Sequence, residues 1–118
     1  MKNTIQTEYG KITISKEVIS SIAGYAAAEC YGLVGMTSQK IQDGLFELLG
    51  REANKKGIQV NISDSTVIIN VYIVVGYGTK ISEVANNVME KINYTVQEYT
   101  GIPIQKVNVI VQGVKVVD

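Results

Sequence analysis

The chain has 118 residues, of which 46% are hydrophobic and 19% are charged, and its 11 basic side chains balance its 11 acidic ones. This length fits one domain around a single core, and the apolar content excludes an intrinsically disordered chain. Zero net charge argues against a protein held on nucleic acid mainly by electrostatics. One Cys and no His exclude a disulfide framework and remove the commonest metal ligand and general base.

The first half of the chain predicts an arm, a strand and a helix. Residues 1–9 are polar and predict a loose N-terminal arm, followed by a domain over residues 10–118 that opens with a strand at 11–14. Ser15 is a suitable N-cap for a helix that Gly32 would stop. The apolar positions of this helix repeat at i, i+4 and predict its buried stripe: Val18, Ile19, Ile22, Ala23, Ala26, Ala27 and Cys30.

The middle of the chain contains both the weakest and the strongest sequence signals for secondary structure. Residues 33–36 predict an apolar link between glycines, and residues 37–57 predict a short, mobile helix weakened by Gly44 and Gly50. Alternation over residues 58–62, followed by a β-branched run over 66–75, predicts a hairpin. Because the second strand is apolar on both faces, we expect it to lie centrally or at an interface.

The last third predicts a helix and a strand. The helix is expected to begin near Thr79 or Ser82 and to end at Gly101, and its buried face is predicted to hold Val84, Val88, Ile92, Val96 and Tyr99. The strand covers residues 106–117 and is expected to bulge near Gly113. A strand, helix, strand order favours a right-handed crossover between parallel strands. The predicted fold is a small single α+β domain whose three- to four-stranded mixed sheet carries two main helices.

The stretch from Gly76 to Lys80 is a candidate anion-binding turn. Gly76, Gly78, Thr79 and Lys80 stand between a strand and a helix N-terminus, where backbone N–H groups can face an anion. A dinucleotide fingerprint needs a third glycine where Ile81 stands, and a phosphate loop needs Gly-Lys-Ser/Thr. A structural turn is therefore the stronger interpretation.

The reactive and charged residues predict little catalysis. Cys30 lies on an apolar stripe and has no histidine to activate it, so a packing role is favoured. The carboxylate pairs Glu47 with Glu52 and Glu83 with Glu90 lie on polar helix faces. The basic cluster Arg51, Lys55 and Lys56, with Tyr31, Tyr77, Tyr94 and Tyr99 as stacking surfaces, leaves a weak RNA-binding alternative.

Self-association or binding by strand addition is better supported by the residues than catalysis or RNA binding. The strand over residues 67–75 has no charge and no proline, so an exposed edge of it or of the terminal strand invites pairing with another chain. A central strand with both edges used is the competing interpretation. Asn70 and Tyr72 are the non-aliphatic residues of this otherwise aliphatic strand, and they are the candidate contact surface. The alternative is that they form a buried hydrogen-bonded pair.

A series of motifs in order gives the chain a family resemblance. The motifs are Gly10-x-Ile12-x-Ile14, Val18-Ile19-x-x-Ile22-Ala23, Gly32-Leu33-Val34-Gly35-Met36, Leu49-Gly50-Arg51, Lys56-Gly57-Ile58, Tyr72-Ile73-Val74-Val75, Tyr77-Gly78, Ile81-x-Glu83-Val84-Ala85 and Val107-Asn108-Val109-x-Val111-x-Gly113-Val114. Over residues 9–117 the chain resembles the alkaline shock protein (YloU-like) family of Gram-positive bacteria. It departs from the family pattern at Gly76, usually acidic, and at Ser82, usually proline.

The resemblance implies a cytoplasmic, non-enzymatic protein of cell-envelope homeostasis and stress, with no catalytic, metal or cofactor residues. It implies self-association and a small membrane-anchored partner protein that holds some relatives at the inner membrane face. It also implies the main alternative, an accessory regulatory subunit of a fatty-acid or dihydroxyacetone kinase-like partner. The chain has no apolar run of the roughly 20 residues that a membrane-spanning helix needs.

Overall fold

The computed structural model describes residues 3–30, 33–36, 57–63 and 66–116. The elements in these ranges are β1 (Thr4–Thr7), β2 (Gly10–Thr13), α1 (Lys16–Ala28), β3 (Leu33–Met36), β4 (Ile58–Ile62), β5 (Val67–Gly76), α2 (Ile81–Thr100) and β6 (Lys106–Lys115). This arrangement confirms the predicted α+β class. The helix predicted over residues 37–57 lies outside the described residues, apart from Gly57.

Strand β5 is the centre of a four-stranded mixed sheet. It pairs with β6 in parallel along one edge, from Ile68 to Gly76. The other edge is shared by two antiparallel neighbours, β4 along the first half of β5 and β3 along the second half. The predicted hairpin, the central place of β5 and the parallel crossover through α2 are therefore confirmed.

Two segments gain strands that the sequence did not predict. Residues 33–36 were expected as a link, yet β3 pairs with β5 with a register shift between Leu33 and Gly35. Four residues containing a glycine are too short for periodicity to reveal a strand. In the expected N-terminal arm, β1 pairs with β2 as an antiparallel hairpin. Asn3 stabilises this hairpin, because it accepts from Ile14 N and donates Nδ2 to Ile14 O, both at 2.9 Å.

Helix α1 begins where the sequence predicted. The Ser15 hydroxyl accepts a hydrogen bond from Val18 N at 3.2 Å, which confirms the N-cap. Ile19, Ala23 and Ala27 are wholly buried, whereas Val18, predicted on the buried stripe, is exposed. The helix ends at Ala28, before Gly32. Small alanines on the buried stripe allow α2 to pack closely against α1.

Helix α2 buries Val84, Val88, Ile92 and Val96 as predicted, but not Tyr99, which is 75% exposed. Thr100 continues the i, i+4 stripe and is buried in its place. Thr100 can be buried because its hydroxyl donates to Val96 O at 2.6 Å and accepts from Ile102 N at 3.1 Å.

The ends of α2 are set by backbone geometry. The helix begins at Ile81, between the predicted start positions Thr79 and Ser82, and its N-cap Lys80 makes no side-chain capping bond. Gly101 ends the helix as predicted, with φ +76° in the left-handed region that favours glycine. The bulge expected near Gly113 is present, because β6 skips Gln112 in its pairing with β5.

Candidate interaction surfaces

The two faces of the four-stranded sheet differ. Both helices pack on one face, which we call the covered face. There, the odd-numbered side chains of β5 are 0% exposed: Val67, Ile69, Val71, Ile73 and Val75. The opposite face, here called the open face, carries no described helix, and its side chains from β5 are half-buried: Ile68, Asn70, Tyr72 and Val74. The two predicted contact residues, Asn70 and Tyr72, therefore share the open face.

Asn70 is the centre of a row of amides across three strands. The register aligns Gln59 of β4, Asn70 of β5 and Asn108 of β6. Asn108 Nδ2 donates to Asn70 Oδ1 at 2.9 Å, and Asn70 Nδ2 donates to Gln59 Oε1 at 3.3 Å. These neighbours, rather than Tyr72, satisfy the Asn70 amide, so the structure contradicts the alternative of a buried Asn70–Tyr72 pair.

The turn from Gly76 to Lys80 uses part of its hydrogen-bonding capacity internally. Tyr77 N donates to Lys115 O at 2.8 Å, and Thr79 donates to Gly76 O through both its N–H, at 3.3 Å, and its hydroxyl, at 2.7 Å. Glu83 then places a carboxylate in the first turn of α2. These bonds account for the turn structurally, and anion binding by Gly76, Gly78, Thr79 and Lys80 stays a prediction.

Charge is unevenly divided between the helices and the strands of the described residues. The two helices, together with the C-cap of α1 and the N-cap of α2, carry five carboxylates and three lysines. They are Glu17, Glu29, Glu83, Glu90, Glu98, Lys16, Lys80 and Lys91. The strands carry no carboxylate and three lysines, Lys11, Lys106 and Lys115. Within the described residues, the helix layer is therefore acidic and the strands are basic.

Cys30 has the properties of a packing residue. It lies half-buried against the core, and its thiol donates to Ala26 O at 3.7 Å. Burial raises the pKa of the thiol above its ordinary value, and the negative charge of Glu29 adds to the effect while Lys91 opposes it. Because the thiolate is the nucleophilic form, this environment disfavours covalent chemistry.

The remaining polar candidates do not form one site. Glu83 and Glu90 are exposed on α2, two turns or roughly 10 Å apart along the axis, and Glu90 accepts from Asn86 Nδ2 at 3.2 Å. The residues described contain no cluster of three or more His, Cys, Asp or Glu able to hold a metal ion. Five predicted site residues and one tyrosine lie outside the described ranges: Glu47, Glu52, Arg51, Lys55, Lys56 and Tyr31.

None of the helices in the described ranges is both long enough and apolar enough to cross a membrane. The longest, α2, has 20 residues but a polar outer face.

The family profile of the alkaline shock protein 23 (ASP23) family, described as having a cell envelope-related function, matches residues 4–116. The chain belongs to the ASP23 family. The family resemblance inferred from the motifs is thereby confirmed, and so is the coarse functional expectation of a role related to the cell envelope.

Two relatives of this ASP23 family protein come from Gram-positive bacteria. The uncharacterised protein YloU of Bacillus subtilis strain 168 is 50% identical over 117 residues, with 98% of each chain covered. The uncharacterised protein Spy1614 of Streptococcus pyogenes serotype M6 is 40% identical over 114 residues, covering 96% of this chain and 94% of the relative. Among solved structures, a MamM CTD variant is 13% identical with a TM-score of 0.51, covering 84% of this chain and 98% of that one. This last similarity concerns the fold alone.

Sequence reasoning about this ASP23 family protein identified Asn70 but missed the two amides bonded to it. Gln59 was seen only as a polar position of an alternating strand, and Asn108 only as part of a motif. The signal was available in part, since polar residues stood at the middle of each of three predicted strands. Joining them required the strand register, which the chain order alone does not supply.

Proposed function

We propose that this ASP23 family protein is a non-catalytic scaffold or adaptor of cell-envelope homeostasis that associates with itself through the outer edge of β6. Family membership supports the connection to the envelope. The observation that carries the self-association is the outer edge of the long strand β6, which pairs with no strand in the described part of the chain. The location we propose is the inner membrane face, reached through a membrane-anchored partner, as the family resemblance implies.

The outer edge of β6 has the features of a pairing edge. The strand has 10 residues and bonds to β5 along one side, while no strand in the described ranges pairs with its other side. Between Lys106 and Lys115 it carries neither charge nor proline. Such edges expose backbone N–H and C=O groups that another strand can satisfy.

A two-fold dimer is the simplest arrangement. The bulge at Gln112 leaves residues 107–111 as a regular stretch, and a two-fold axis through Val109 would pair this stretch with a second copy in antiparallel fashion. The valines of the covered face, Val107, Val109 and Val111, would then meet their counterparts. The two four-stranded sheets would become one continuous sheet.

The non-catalytic part of the proposal is supported by chemistry. The Cys30 thiol has a raised pKa, and the carboxylates of the described residues are all exposed to solvent. No observation favours the kinase-like partner or the RNA-binding module, and the acidic helix layer around Tyr94 and Tyr99 would repel phosphates. Both alternatives stay predictions.

The test introduces a like charge beside the proposed axis. Ile110 lies on the open face of β6 and is 36% exposed, so Ile110→Lys is compatible with folding. In the paired dimer, the two new lysines would be diagonal neighbours about 7–8 Å apart, which disfavours pairing. Light scattering over a wide concentration range should show association for the unmodified protein and a monomer for Ile110→Lys.

The matched control is Val18→Lys, which adds the same charge at an exposed valine on α1, away from β6. It should associate as the unmodified protein does. A monomer at every concentration for the unmodified protein would exclude the scaffold. Association that persists in Ile110→Lys but not in Val18→Lys would assign the contact to the helix layer.

A further inference from the structure

A groove runs between α1 and α2 on the outer surface of the helix layer. One wall comes from α1, through Ile22, Tyr25, Ala26 and Glu29, and the other from α2, through Lys91, Tyr94, Thr95 and Tyr99. Within each wall the spacing is three or four residues, so each set is a single stripe along its helix. The two stripes face each other, and we call the space between them the tyrosine groove.

The tyrosine rings of this groove are open to solvent. Tyr25 is 54% exposed, Tyr94 is 67% exposed and Tyr99 is 75% exposed. Large aromatic side chains with one apolar face and a polar tip are enriched where proteins meet other proteins. Three of them gathered in one concave site form a surface suited to anchoring a partner.

The dimensions of the groove favour a side chain of a larger partner over a small free ligand. Its volume is about 260 Å³, below the ~300–1,000 Å³ typical of small-molecule sites. From Ile22 to Glu29 it extends over eight residues, or roughly 10 Å. Ala26 and Thr95 leave room between the tyrosine walls. This space holds one or two inserted side chains of a segment lying across the helices.

The charge around the groove selects a basic partner. Glu29 Oε1 lies 3.4 Å from Lys91 Nζ in the groove itself, and both side chains are largely exposed. The helix layer, with its caps, further carries Glu17, Glu83, Glu90 and Glu98 against Lys16 and Lys80. This excess of carboxylates attracts cations and opposes nucleic acids or acidic peptides.

We propose that the tyrosine groove binds an arginine-bearing basic segment of another protein. A guanidinium stacks on tyrosine rings and pairs with a carboxylate in fixed geometry, so arginine satisfies both features of the groove. The incoming guanidinium competes with Lys91 for Glu29. The groove gives the proposed adaptor a surface for binding a different protein, and in that respect the inference rests on the proposed function. Binding at the groove does not involve the β6 edge.

The probe is a short synthetic peptide in which arginine alternates with leucine, and its control carries uncharged citrulline in place of each arginine. The chain has seven tyrosines and no tryptophan, so ring-labelled tyrosine gives a small set of NMR signals. Titration with the arginine peptide should shift the rings of Tyr25, Tyr94 and Tyr99. The exposed rings of Tyr9 and Tyr77, which do not line the groove, should not shift.

Variants assign the binding to the groove. Tyr94→Ala should weaken binding of the arginine peptide by roughly three- to tenfold, as expected for loss of a cation–π contact. Tyr77→Ala is the matched control, because it removes an equally exposed tyrosine outside the groove, and it should bind as the unmodified protein does. Glu29→Gln should weaken binding most at low salt.

Several outcomes would overturn the inference. They are equal affinity for the citrulline peptide, an equal loss in Tyr77→Ala, no binding at all, and groove signals that shift with protein concentration when no peptide is present. The last result would make the groove a contact between copies. Repeating the titration with Ile110→Lys separates the two proposals, since that variant should still bind the peptide, whether or not the β6 edge mediates self-association.

Discussion

The covered and open faces of β5 use the same ten residues in different ways. On the covered face every side chain from Val67 to Val75 is fully buried, and close packing under the helices holds it there. On the open face Asn70 forms a polar row with Gln59 and Asn108, flanked by half-buried Ile68 and Tyr72. A strand that is apolar on both sides can therefore have one core face and one face that remains available for contact.

The difference between the faces should appear most strongly when a charge is added. Val71→Asp buries a carboxylate with no partner, which costs several kcal/mol of the free energy of unfolding, a large part of the total of about 5–15 kcal/mol. We expect loss of cooperative thermal unfolding by circular dichroism. Asn70→Asp, one position along the strand, should keep a sharp transition because its carboxylate can still accept from Asn108. Equal effects would contradict the assignment of the faces.

Truncation should give the next largest effect. Ile73→Ala removes methylene groups from a fully buried position and should lower the free energy of unfolding by about 2–5 kcal/mol. Val74→Ala, its neighbour on the open face, should lower it by less than about 1.5 kcal/mol. Urea unfolding followed by circular dichroism measures both. A larger loss for Val74→Ala would indicate that another part of the molecule covers the open face.

The amide row should contribute a smaller amount. Asn70→Ala and Asn108→Ala should each lower the free energy of unfolding by about 1 kcal/mol, the usual net value of a hydrogen bond. Since the two amides bond to each other, the double variant should lose less than the sum of the single losses. Fully additive losses from urea unfolding would mean that the 2.9 Å bond adds no stability.

The smallest effect concerns reactivity rather than stability. Because burial raises the pKa of the Cys30 thiol, the folded protein holds less thiolate at a given pH than the unfolded chain does. Alkylation by iodoacetamide should be slow near neutral pH and should accelerate only as the pH rises towards the raised pKa. Lys91→Met removes a charge that lowers this pKa and should slow alkylation further. A folded-state rate equal to that in urea would refute the burial of the thiol.

Local signals in the sequence located most elements correctly. Ser15 capped α1 as predicted because capping depends on a few adjacent residues. The hairpin of β4 and β5 followed from alternation around a short turn, and the parallel pairing of β6 with β5 followed from the strand, helix, strand order. Gly101 ended α2 because only glycine adopts its left-handed backbone readily.

Misplaced features depended on contacts between distant residues. Tyr99 matched the apolar periodicity of α2, but the stripe that meets the core continues through Thr100, whose hydroxyl is satisfied by Val96 and Ile102. Strand β3 exists because β5 offers it an edge. The tyrosine groove was not predicted, although Tyr94 and Tyr99 had been noted, because Tyr25 reaches them only when the helices pack side by side.

The amino-acid order thus determined the fold class, the family and most helix and strand positions, because these depend on periodicity, capping and turn residues close together in the chain. Tertiary structure decided which face of β5 is covered, how charges divide between the layers, and which amides and tyrosines meet. Those properties arise from strand register and helix packing, and they bring together residues such as Gln59 and Asn108 that have no local relation in the sequence.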